Sequence, residues 1–367
     1  MKITFMVSDI TKMGGVQKVV SLIANALIET GVHDIEILSI CKSGNNPIFE
    51  LINKIKVSYL FPKQKSISVK RSFILLVCKL NKYLKNNSTT LIFSGIGYGL
   101  PVYISSLIGN KNKIIGWEHQ NFYFGKTLGL EWIGKRISVK RLNRTIVLTQ
   151  EALLQYKDYF MKSTTNVVQI PNPIDSKLLA IKAFYDSNSK KIISVGSLSS
   201  QKGFDIAIKV GRLVFDMHPD WEWHVYGTGA ELDNLNKLIK EQGVQENFFL
   251  KGQNNDIYSE YRKYSMYVAT SRHEGLPMVL LEAQANLLPI VSFDFKCGPK
   301  DLIQDNINGF IVPCFDENVM ANKICELIQD TPKRISFSNK SSINLSEYSM
   351  ESVIDRWHKL LKEVSAE

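Results

Sequence analysis

The sequence contains few cysteines, and they are widely separated. Its 367 residues include five cysteines, and no two of them form a Cys-x-x-Cys motif: Cys41, Cys78, Cys297, Cys314 and Cys325. A disulfide framework or a zinc site needs cysteines at short, regular spacing, so this scatter argues against both. We interpret the five as isolated buried thiols of a protein that works in a reducing compartment.

The chain also lacks a long hydrophobic run. No apolar stretch approaches the roughly 20 residues that a membrane-spanning helix needs. The amino terminus, MKITFMVSDI, reaches Asp9 after too short an apolar stretch for a signal peptide. We therefore predict that it forms a first β-strand.

Acidic residues are scarce in the first half of the chain. Residues 1–180 contain 24 Lys and Arg against 10 Asp and Glu, a balance of +14, whereas residues 181–367 contain 21 against 25, a balance of −4. A positive field of this size attracts phosphate-rich partners. Nucleic acid, anionic lipid and a pyrophosphate-linked substrate all fit.

Short β-rich segments alternate with helical patterns along the chain. The predicted strands are 3–8, 35–40, 91–95, 113–118 and 145–149, then 191–197, 221–227, 247–252, 266–271, 289–294 and 309–313. On a chain too long for one core, this alternation predicts an α/β protein with two doubly wound domains, divided near the prolines of 170–175. Ligands of such sheets bind beyond the carboxyl ends of strands, so two domains facing one another would hold a ligand in a central cleft.

The segment SRHEGLPMVLLEA (271–283) places two carboxylates around a predicted helix start. Pro277 suits the first turn of a helix over 278–286, whose free N–H groups would favour phosphate. Glu282, on that helix, could accept hydrogen bonds from the two hydroxyls of a ribose, and Glu274 could accept those of a sugar beyond the phosphates. On spacing alone, a solvent-facing Glu274 and a Glu282 paired with a lysine fit as well.

The element EGLPMVLLE has the form E-x7-E and resembles the signature of retaining GT-B glycosyltransferases, especially family 4 and its bacterial surface-polysaccharide and O-antigen enzymes. The resemblance implies a GT-B fold of two Rossmann-like domains. Residues 1–172 would bind the acceptor and residues 173–348 the nucleotide-sugar donor. Residues 349–367 would form a helix that crosses back to the first domain.

Other segments resemble family motifs in the same order. In VGSLSSQKGFD (195–205), Lys202 occupies the position of a diphosphate-binding lysine, but Ser197 stands where the family usually has arginine. One cation on the leaving group is therefore expected to be absent, or its role is taken elsewhere, by Arg272 or by the glycine-rich loop. The resemblance assigns catalytic roles to His119 (in GWEHQNF), Lys202 and Glu274. It assigns donor binding to Gly14, Gly15, Ser197, Lys202, Tyr226, Gly227, Gly252, Gln253, Arg272, Glu274, Gly275, Leu276, Met278 and Glu282.

The implied reaction transfers a hexose of the galactose, N-acetylgalactosamine or glucose type from a UDP-sugar with retention of configuration. Lys202 and helix N-termini would stabilise the departing diphosphate, and His119 would hydrogen-bond the donor sugar rather than act as a base. The sequence has no Asp-x-Asp motif, and the resemblance implies neither a metal nor a cofactor. A nucleotide-sugar epimerase of the same fold is an alternative. A basic nucleic-acid-binding protein is another, although no recognised module is present.

The basic half bears on the acceptor. In residues 63–87 an apolar stripe of Phe73, Leu76, Val77 and Leu80 lies opposite Lys79, Lys82 and Lys85. An amphipathic helix on an anionic membrane and an ordinary domain helix fit equally well. A second basic cluster is predicted at the surface: Lys135, Arg136, Lys140, Arg141 and Arg144.

These features favour a polyprenyl-pyrophosphate-linked oligosaccharide as the acceptor. They predict a cytoplasmic protein bound peripherally to the inner face of the plasma membrane, with no nucleic-acid partner. The segment GIGYG (95–99) lacks the rest of a dinucleotide fingerprint and predicts a tight turn facing the acceptor.

Overall fold

The structure is a computed structural model that describes residues 1–108, 112–123, 129–160, 166–180 and 184–367. The chain divides into two compact units, one formed by Met1–Pro173 with Met350–Glu367 and the other by Ile174–Ser349. These bounds lie within one residue of those expected from the sequence. The assignment of acceptor to one unit and donor to the other stays a prediction.

The first unit is a parallel sheet with helices packed around it. Its strands are β1 (Lys2–Val7), β2 (Asp34–Cys41), β3 (Lys56–Phe61), β4 (Thr90–Ser94), β5 (Ile114–Trp117), β6 (Arg144–Val147) and β7 (Val167–Gln169). Its first helices are α1 (Gly15–Glu29), α2 (Phe73–Asn86), α3 (Gly99–Ile108), α4 (Leu130–Arg141) and α5 (Gln150–Phe160). Within the described residues the strand order is β3-β2-β1-β4-β5-β6-β7. The order in which strands are added to the sheet therefore reverses beside β1, as in doubly wound folds.

Two strands of this sheet, β3 and β7, were not predicted. Both lie at the edges of the sheet. Strand β3 is half exposed over most of its length, and β7 has only three residues. Central parallel strands appear in a sequence as continuous apolar runs. A half-exposed strand and a strand of three residues lack such a run, so neither was predicted.

Helix α2 is an ordinary domain helix along its apolar stripe. Leu76 and Leu80 of the predicted stripe are fully buried with Leu84 in the core of the first unit, and Phe73 and Val77 are half-buried. Most of the predicted stripe therefore packs within the first unit. On the basic face of the same helix, Lys79 is engaged, because its Nζ donates to the Leu60 carbonyl at 2.8 Å.

The second basic cluster is only partly at the surface. Lys135 is 1% exposed, so its prediction as a surface residue was wrong. Its Nζ donates to the Phe122 carbonyl, which repays part of the cost of burying an ammonium group. Arg144 pairs with Glu367 at 2.5 Å and so contributes less to the surface field than its charge suggests.

The second unit repeats the architecture with six parallel strands in its described part. The strands are β8 (Lys191–Val195), β9 (Glu222–Tyr226), β10 (Phe248–Gly252), β11 (Met266–Ala269), β12 (Ile290–Phe293) and β13 (Gly309–Val312). The helices are α6 (Ser176–Leu179), α7 (Phe204–Met217), α8 (Leu232–Gln242), α9 (Ile257–Glu260), α10 (Met278–Ala285), α11 (Pro299–Leu302), α12 (Glu317–Gln329) and α13 (Thr331–Lys340). The order β10-β9-β8-β11-β12-β13 makes β8 and β11 neighbours at the reversal point, where such sheets bind ligands.

The last helix, α14 (Met350–Ala366), belongs to the first unit. Its Trp357 is fully buried and meets Trp117 of β5 edge to face, with ring centroids 4.9 Å apart. The same ring meets Phe5 of β1 at 5.9 Å. An aromatic cluster therefore attaches the carboxyl-terminal helix to two central strands.

Cysteine burial departs from the prediction at two positions. Cys41, Cys297 and Cys325 are buried, but Cys78 and Cys314 are exposed, and all five are free thiols.

Among the described residues, no helix is both long and apolar enough to cross a membrane.

We expect Trp357→Ala to lower the free energy of unfolding of the first unit by about 3–5 kcal/mol, because it removes a large buried ring and leaves a cavity. Chemical denaturation followed by circular dichroism measures the loss. The exposed Lys359 on the same helix is the control, and Lys359→Ala should change stability by less than about 0.5 kcal/mol. Equal effects of the two changes would show that the helix does not depend on the aromatic cluster.

Candidate active site

Two loops meet at the carboxyl ends of β8 and β11. Gly203, between the β8 loop and α7, has φ +66°, and a Cβ there would lie 2.1 Å from the Thr270 carbonyl oxygen. Only glycine fits both the left-handed backbone and this close approach. Two further hydrogen bonds join the loops, from Arg272 N to the Gln201 carbonyl at 2.7 Å and from Thr270 Oγ1 to the Lys202 carbonyl at 3.1 Å.

This contact brings Lys202 and Glu274 together. Lys202 Nζ donates to Glu274 Oε1 at 2.7 Å, and Ser271 Oγ donates to the same oxygen at 2.9 Å. Gln201 Nε2 donates to Glu274 Oε2 at 3.3 Å. Glu274 is only 8% exposed, so these donors stabilise a carboxylate that would otherwise be costly to bury. The alternative of a solvent-facing Glu274 was therefore wrong, and its contact with a sugar stays a prediction.

The stem of Lys202 lies across the end of β8. A Cβ at Gly196 would come within 2.8 Å of Lys202 Cε, so a larger residue there would displace the lysine. An ammonium group has three N–H donors, and Glu274 takes one of them. The others suit oxygens of a phosphate at the end of the sheet.

Arg272, the expected substitute for the arginine missing at Ser197, is engaged by a carboxylate. Its Nη1 and Nη2 donate to the two oxygens of Asp205 at 2.8 and 2.7 Å, and Nη1 also donates to the Ser200 carbonyl at 2.6 Å. This bidentate pair holds the guanidinium against the first turn of α7 and lowers the pKa of Asp205 despite the opposing effect of its burial. Ser197 itself is exposed and lies 3.1 Å, Oγ to Oγ, from Ser199.

Glu282 lies on α10, which begins one residue after Pro277. Tyr261 Oη, on a fully buried ring, donates to Glu282 Oε2 at 2.9 Å. This contact orients the carboxylate of Glu282, a group whose oxygens can accept hydrogen bonds from the hydroxyls of a diol. The amino end of α10 is fixed by Gly298 at φ +120°, where a Cβ would meet the Pro277 ring at 2.2 Å.

The remaining predicted donor residues lie along the same edge of the sheet. Gly227 follows β9 and donates its N–H to the carbonyl of Gly252 at the end of β10, at 2.9 Å. Tyr226 is buried and donates to Glu260 at 3.0 Å, and Gln253 is exposed. Three others form the turn into α10 and its first residue: Gly275, Leu276 and Met278.

Three predicted residues belong to the first unit. His119 follows β5, its ring lies on Trp117 with centroids 4.5 Å apart, and its Nε2 has no hydrogen-bond partner among the described residues. Burial lowers the pKa of His119 to about 3, so the imidazole is neutral near pH 7 and can form hydrogen bonds without charge. Gly14 precedes α1 and Gly15 begins it. A Cβ at Gly15 would meet no atom within 4 Å, so the space beside the backbone of Gly15 is open.

Four residues of the second-unit site were not predicted. Gln201 and Ser271 donate to Glu274, Asp205 binds Arg272, and Tyr261 binds Glu282. Gln201, Asp205 and Ser271 lie inside the quoted segments 195–205 and 271–283 and could have been noticed there. Tyr261 lies 21 residues before its partner, and nothing in the local pattern connects the two.

The second-unit site thus combines a half-buried lysine paired with a buried glutamate, a helix amino terminus and an oriented glutamate at one sheet edge. These groups are suited to phosphate oxygens and sugar hydroxyls. The described residues contain no cluster of three or more His, Cys, Asp or Glu side chains placed to hold a metal ion. Metal independence stays a prediction.

The fold and this edge of the sheet define the class of protein, and comparison with known proteins supplies the family. Residues 179–342 match the family model described as glycosyl transferases group 1. The chain is 31% identical over 362 residues to an uncharacterized glycosyltransferase of Haemophilus influenzae, covering 98% of this chain and 99% of the relative. The protein belongs to the glycosyl transferases group 1 family and has the GT-B fold.

Other relatives have more informative names. A poly(ribitol-phosphate) alpha-N-acetylglucosaminyltransferase of Staphylococcus aureus is 29% identical over 79% of this chain and 59% of its own length. A Campylobacter jejuni alpha-1,4-N-acetyl-D-galactosaminyltransferase named for a PP-undecaprenol-linked substrate is 24% identical over 99% of both chains. Among solved structures, HepE of Anabaena in complex with UDP and glucose superposes with a TM-score of 0.81 at 18% identity, over 99% of each chain.

We expect the Lys202–Glu274 pair to stabilise the second unit. Lys202→Met should lower its free energy of unfolding by about 1–3 kcal/mol, because it leaves a buried carboxylate without its cation. Adding Glu274→Gln should recover part of that loss, which a double-mutant cycle by denaturation measures.

The control is Lys209, whose Nζ lies 3.8 Å from Glu317 in a half-exposed pair. Lys209→Met should change stability by less than about 1 kcal/mol. Strictly additive effects of the two substitutions at positions 202 and 274 would mean that the pair contributes nothing to folding.

Proposed function

We propose that this protein transfers a hexose from a UDP-sugar to a lipid-linked oligosaccharide during surface-polysaccharide assembly. The transfer retains the anomeric configuration and needs no metal ion. Galactose, N-acetylgalactosamine or glucose is the proposed sugar. The observation that carries the proposal is the convergence of Lys202, Glu274 and Glu282 at the reversal point of the second sheet.

Each group has a proposed role in donor binding. Glu282, oriented by Tyr261, accepts the two ribose hydroxyls, and the amino terminus of α10 faces the diphosphate. Lys202 donates to diphosphate oxygens while Glu274 holds its ammonium group in place. The Oε2 atom of Glu274, whose contact with Gln201 is long at 3.3 Å, accepts a hydroxyl of the donor sugar.

Catalysis in this proposal is mainly electrostatic. Negative charge develops on the leaving diphosphate, where Lys202 and the helix dipole stabilise it more in the transition state than in the ground state. The acceptor attacks from the face that the diphosphate leaves, and a diphosphate oxygen takes its proton. His119, neutral because of its lowered pKa, contributes a hydrogen bond rather than a proton transfer.

The acceptor is proposed to be polyprenyl-pyrophosphate-linked, as the name of the Campylobacter jejuni relative suggests for that protein. The first unit would bind it at the inner face of the plasma membrane. Although the apolar stripe of α2 is buried, its start exposes Ile74 (78%) and Leu75 (50%) beside the exposed Lys70 and Arg71. Two apolar side chains beside two cations suit the surface of an anionic bilayer.

Donor binding is tested by a panel of UDP- and GDP-sugars in a thermal-stability assay. We expect UDP-sugars to raise the melting temperature and GDP-sugars to have little effect, because a ligand that binds only the folded state stabilises it. Glu282→Gln should weaken UDP binding about tenfold, since hydrogen bonds to a charged group are worth about 1.5–3 kcal/mol.

A deoxynucleotide makes this test specific. In the wild type, 2′-deoxy-UDP should bind more weakly than UDP, whereas Glu282→Gln should bind both equally. Glu317→Gln, at an exposed ion pair of the same unit, is the matched control and should behave as wild type. The donor assignment would be wrong if no nucleotide sugar stabilised the protein or if Glu282→Gln bound UDP at full strength.

Membrane binding is tested by sedimentation with phosphatidylglycerol vesicles. The protein should sediment with these vesicles at low salt and dissociate from them at high salt, because salt screens the attraction between exposed charges. It should not bind neutral phosphatidylcholine vesicles. The double variant Ile74→Ser, Leu75→Ser should bind several-fold more weakly than wild type, and Val32→Ser, another exposed apolar position, should not. Binding that does not depend on lipid charge would reject the membrane proposal and leave the transferase proposal standing.

A further inference from the structure

The first unit contains a cavity of about 260 Å³ at the carboxyl ends of β4 and β5. Its polar lining comes from three places: the turn after β4, the segment after β5, and the start of α4. The lining residues that matter here are Gly95, Tyr98, Glu118, Gln120, Glu131 and Lys135. A space of this size takes a single sugar ring.

Close backbone packing builds the cavity. A Cβ at Gly134 would lie 2.0 Å from the Ile96 carbonyl oxygen, so α4 touches the turn that follows β4. Gly95, at φ +94°, starts that turn and donates its N–H to the Trp117 carbonyl at 3.2 Å. These contacts fix Lys135 and Glu131 of α4 next to Glu118, which follows β5.

Glu118 is the unusual group in this lining. Its side chain is 3% exposed, and its Oε1 accepts the N–H of Gln120 at 3.1 Å. Its Oε2 has no hydrogen-bond partner among the described residues. A buried carboxylate oxygen without a hydrogen-bond partner lowers the stability of the fold. A ligand that donates a hydrogen bond to this oxygen would offset that cost.

The charges of the lining select the kind of ligand. Two carboxylates, Glu118 and Glu131, face one ammonium group, Lys135. A phosphate or diphosphate would be repelled by this balance, whereas a neutral ligand with several hydroxyl groups can donate to the carboxylates. The glycine-lined turn admits such a ring at close range.

We propose that this cavity binds the non-reducing terminal sugar of the acceptor and that Glu118 accepts a hydrogen bond from one of its hydroxyls. The inference rests on the proposed glycosyl transfer and adds the acceptor-binding residue to it. The diphosphate of a lipid-linked acceptor lies outside the cavity. The cavity therefore discriminates between acceptors by their terminal sugar.

Protonation of Glu118 gives the proposal a pH signature. Burial raises the pKa of Glu118 to about 7, although the charge of Lys135 acts in the opposite direction. The other titratable groups near it are Glu131 on α4, Tyr98 in the turn and the adjacent His119. Neither Tyr98, with its pKa raised to about 12, nor His119, with its pKa lowered to about 3, changes charge near neutral pH. As pH falls through about 7, Glu118 loses its charge and kcat/KM for the acceptor falls.

The experiment uses octyl glycosides of galactose, glucose, N-acetylglucosamine and N-acetylgalactosamine as acceptor probes, with the UDP-sugar that best stabilises the protein as donor. Glu118→Gln should raise the KM for the accepted glycoside about tenfold, the worth of one charge-assisted hydrogen bond. Its kcat/KM should lack the wild-type inflection near pH 7. Glu118→Asp should recover part of the affinity, and Glu29→Gln, at an exposed acid of the same unit, should behave as wild type.

Saturation-transfer NMR with the same glycosides covers the case in which none is glycosylated. Binding to the wild type that Glu118→Gln weakens supports the inference. Equal binding by both proteins, or no binding by the wild type, overturns it, as does a Glu118→Gln variant with wild-type KM and pH profile. The rise in melting temperature that UDP causes is measured in parallel. If UDP does not stabilise the wild type, the donor proposal is rejected. If UDP stabilises the wild type and Glu118→Gln equally, the loss of activity in the variant lies in acceptor binding.

Discussion

The contact between Gly203 and Thr270 is the constraint on which the candidate donor site depends. The two residues belong to loops that leave adjacent parallel strands, and a left-handed glycine lets their backbones touch. That approach carries Lys202 to Glu274 and allows the second loop to donate to the first. A side chain at Gly203 would separate the loops, leave a buried carboxylate without its cation, and remove the ammonium group from the strand end.

The acidic residues of the candidate donor site and of the first-unit cavity differ in how completely they are partnered. In the second unit, Glu274 is held by Lys202, Asp205 by Arg272, and Glu282 by Tyr261, so each is oriented before any ligand arrives. Such preorganisation reduces the cost of ordering a site when a ligand binds. Glu118 in the first unit differs, because one of its oxygens is buried and has no hydrogen-bond partner in the part of the chain that the structure describes. Oriented carboxylates suit a donor that must be held in one geometry, and an unpartnered one suits a ligand that completes the site.

The charge of the basic half is less available than its count suggests. Lys79 and Lys135 donate to backbone carbonyls, and Arg144 pairs with Glu367. The contacts tie these three side chains to the interior and edges of the first unit, so they are less available to a partner than their number suggests. The positive charge that does reach solvent near α2, at Lys70 and Arg71, lies beside exposed apolar side chains. The proposed membrane contact rests on this pairing rather than on net charge.

The sequence by itself determined the class of fold and predicted at which sheet edge the donor binds. Central parallel strands are buried on both faces and appear as apolar runs, and the E-x7-E element marks a loop and a helix start. Local spacing could not reveal the edge strands β3 and β7, the burial of Lys135, or the pairing of Arg272 with Asp205 and of Glu282 with Tyr261. Only the tertiary structure decided these, because partners distant in the chain meet through sheet order and close backbone approach, and burial depends on what packs above a residue rather than on its neighbours in sequence.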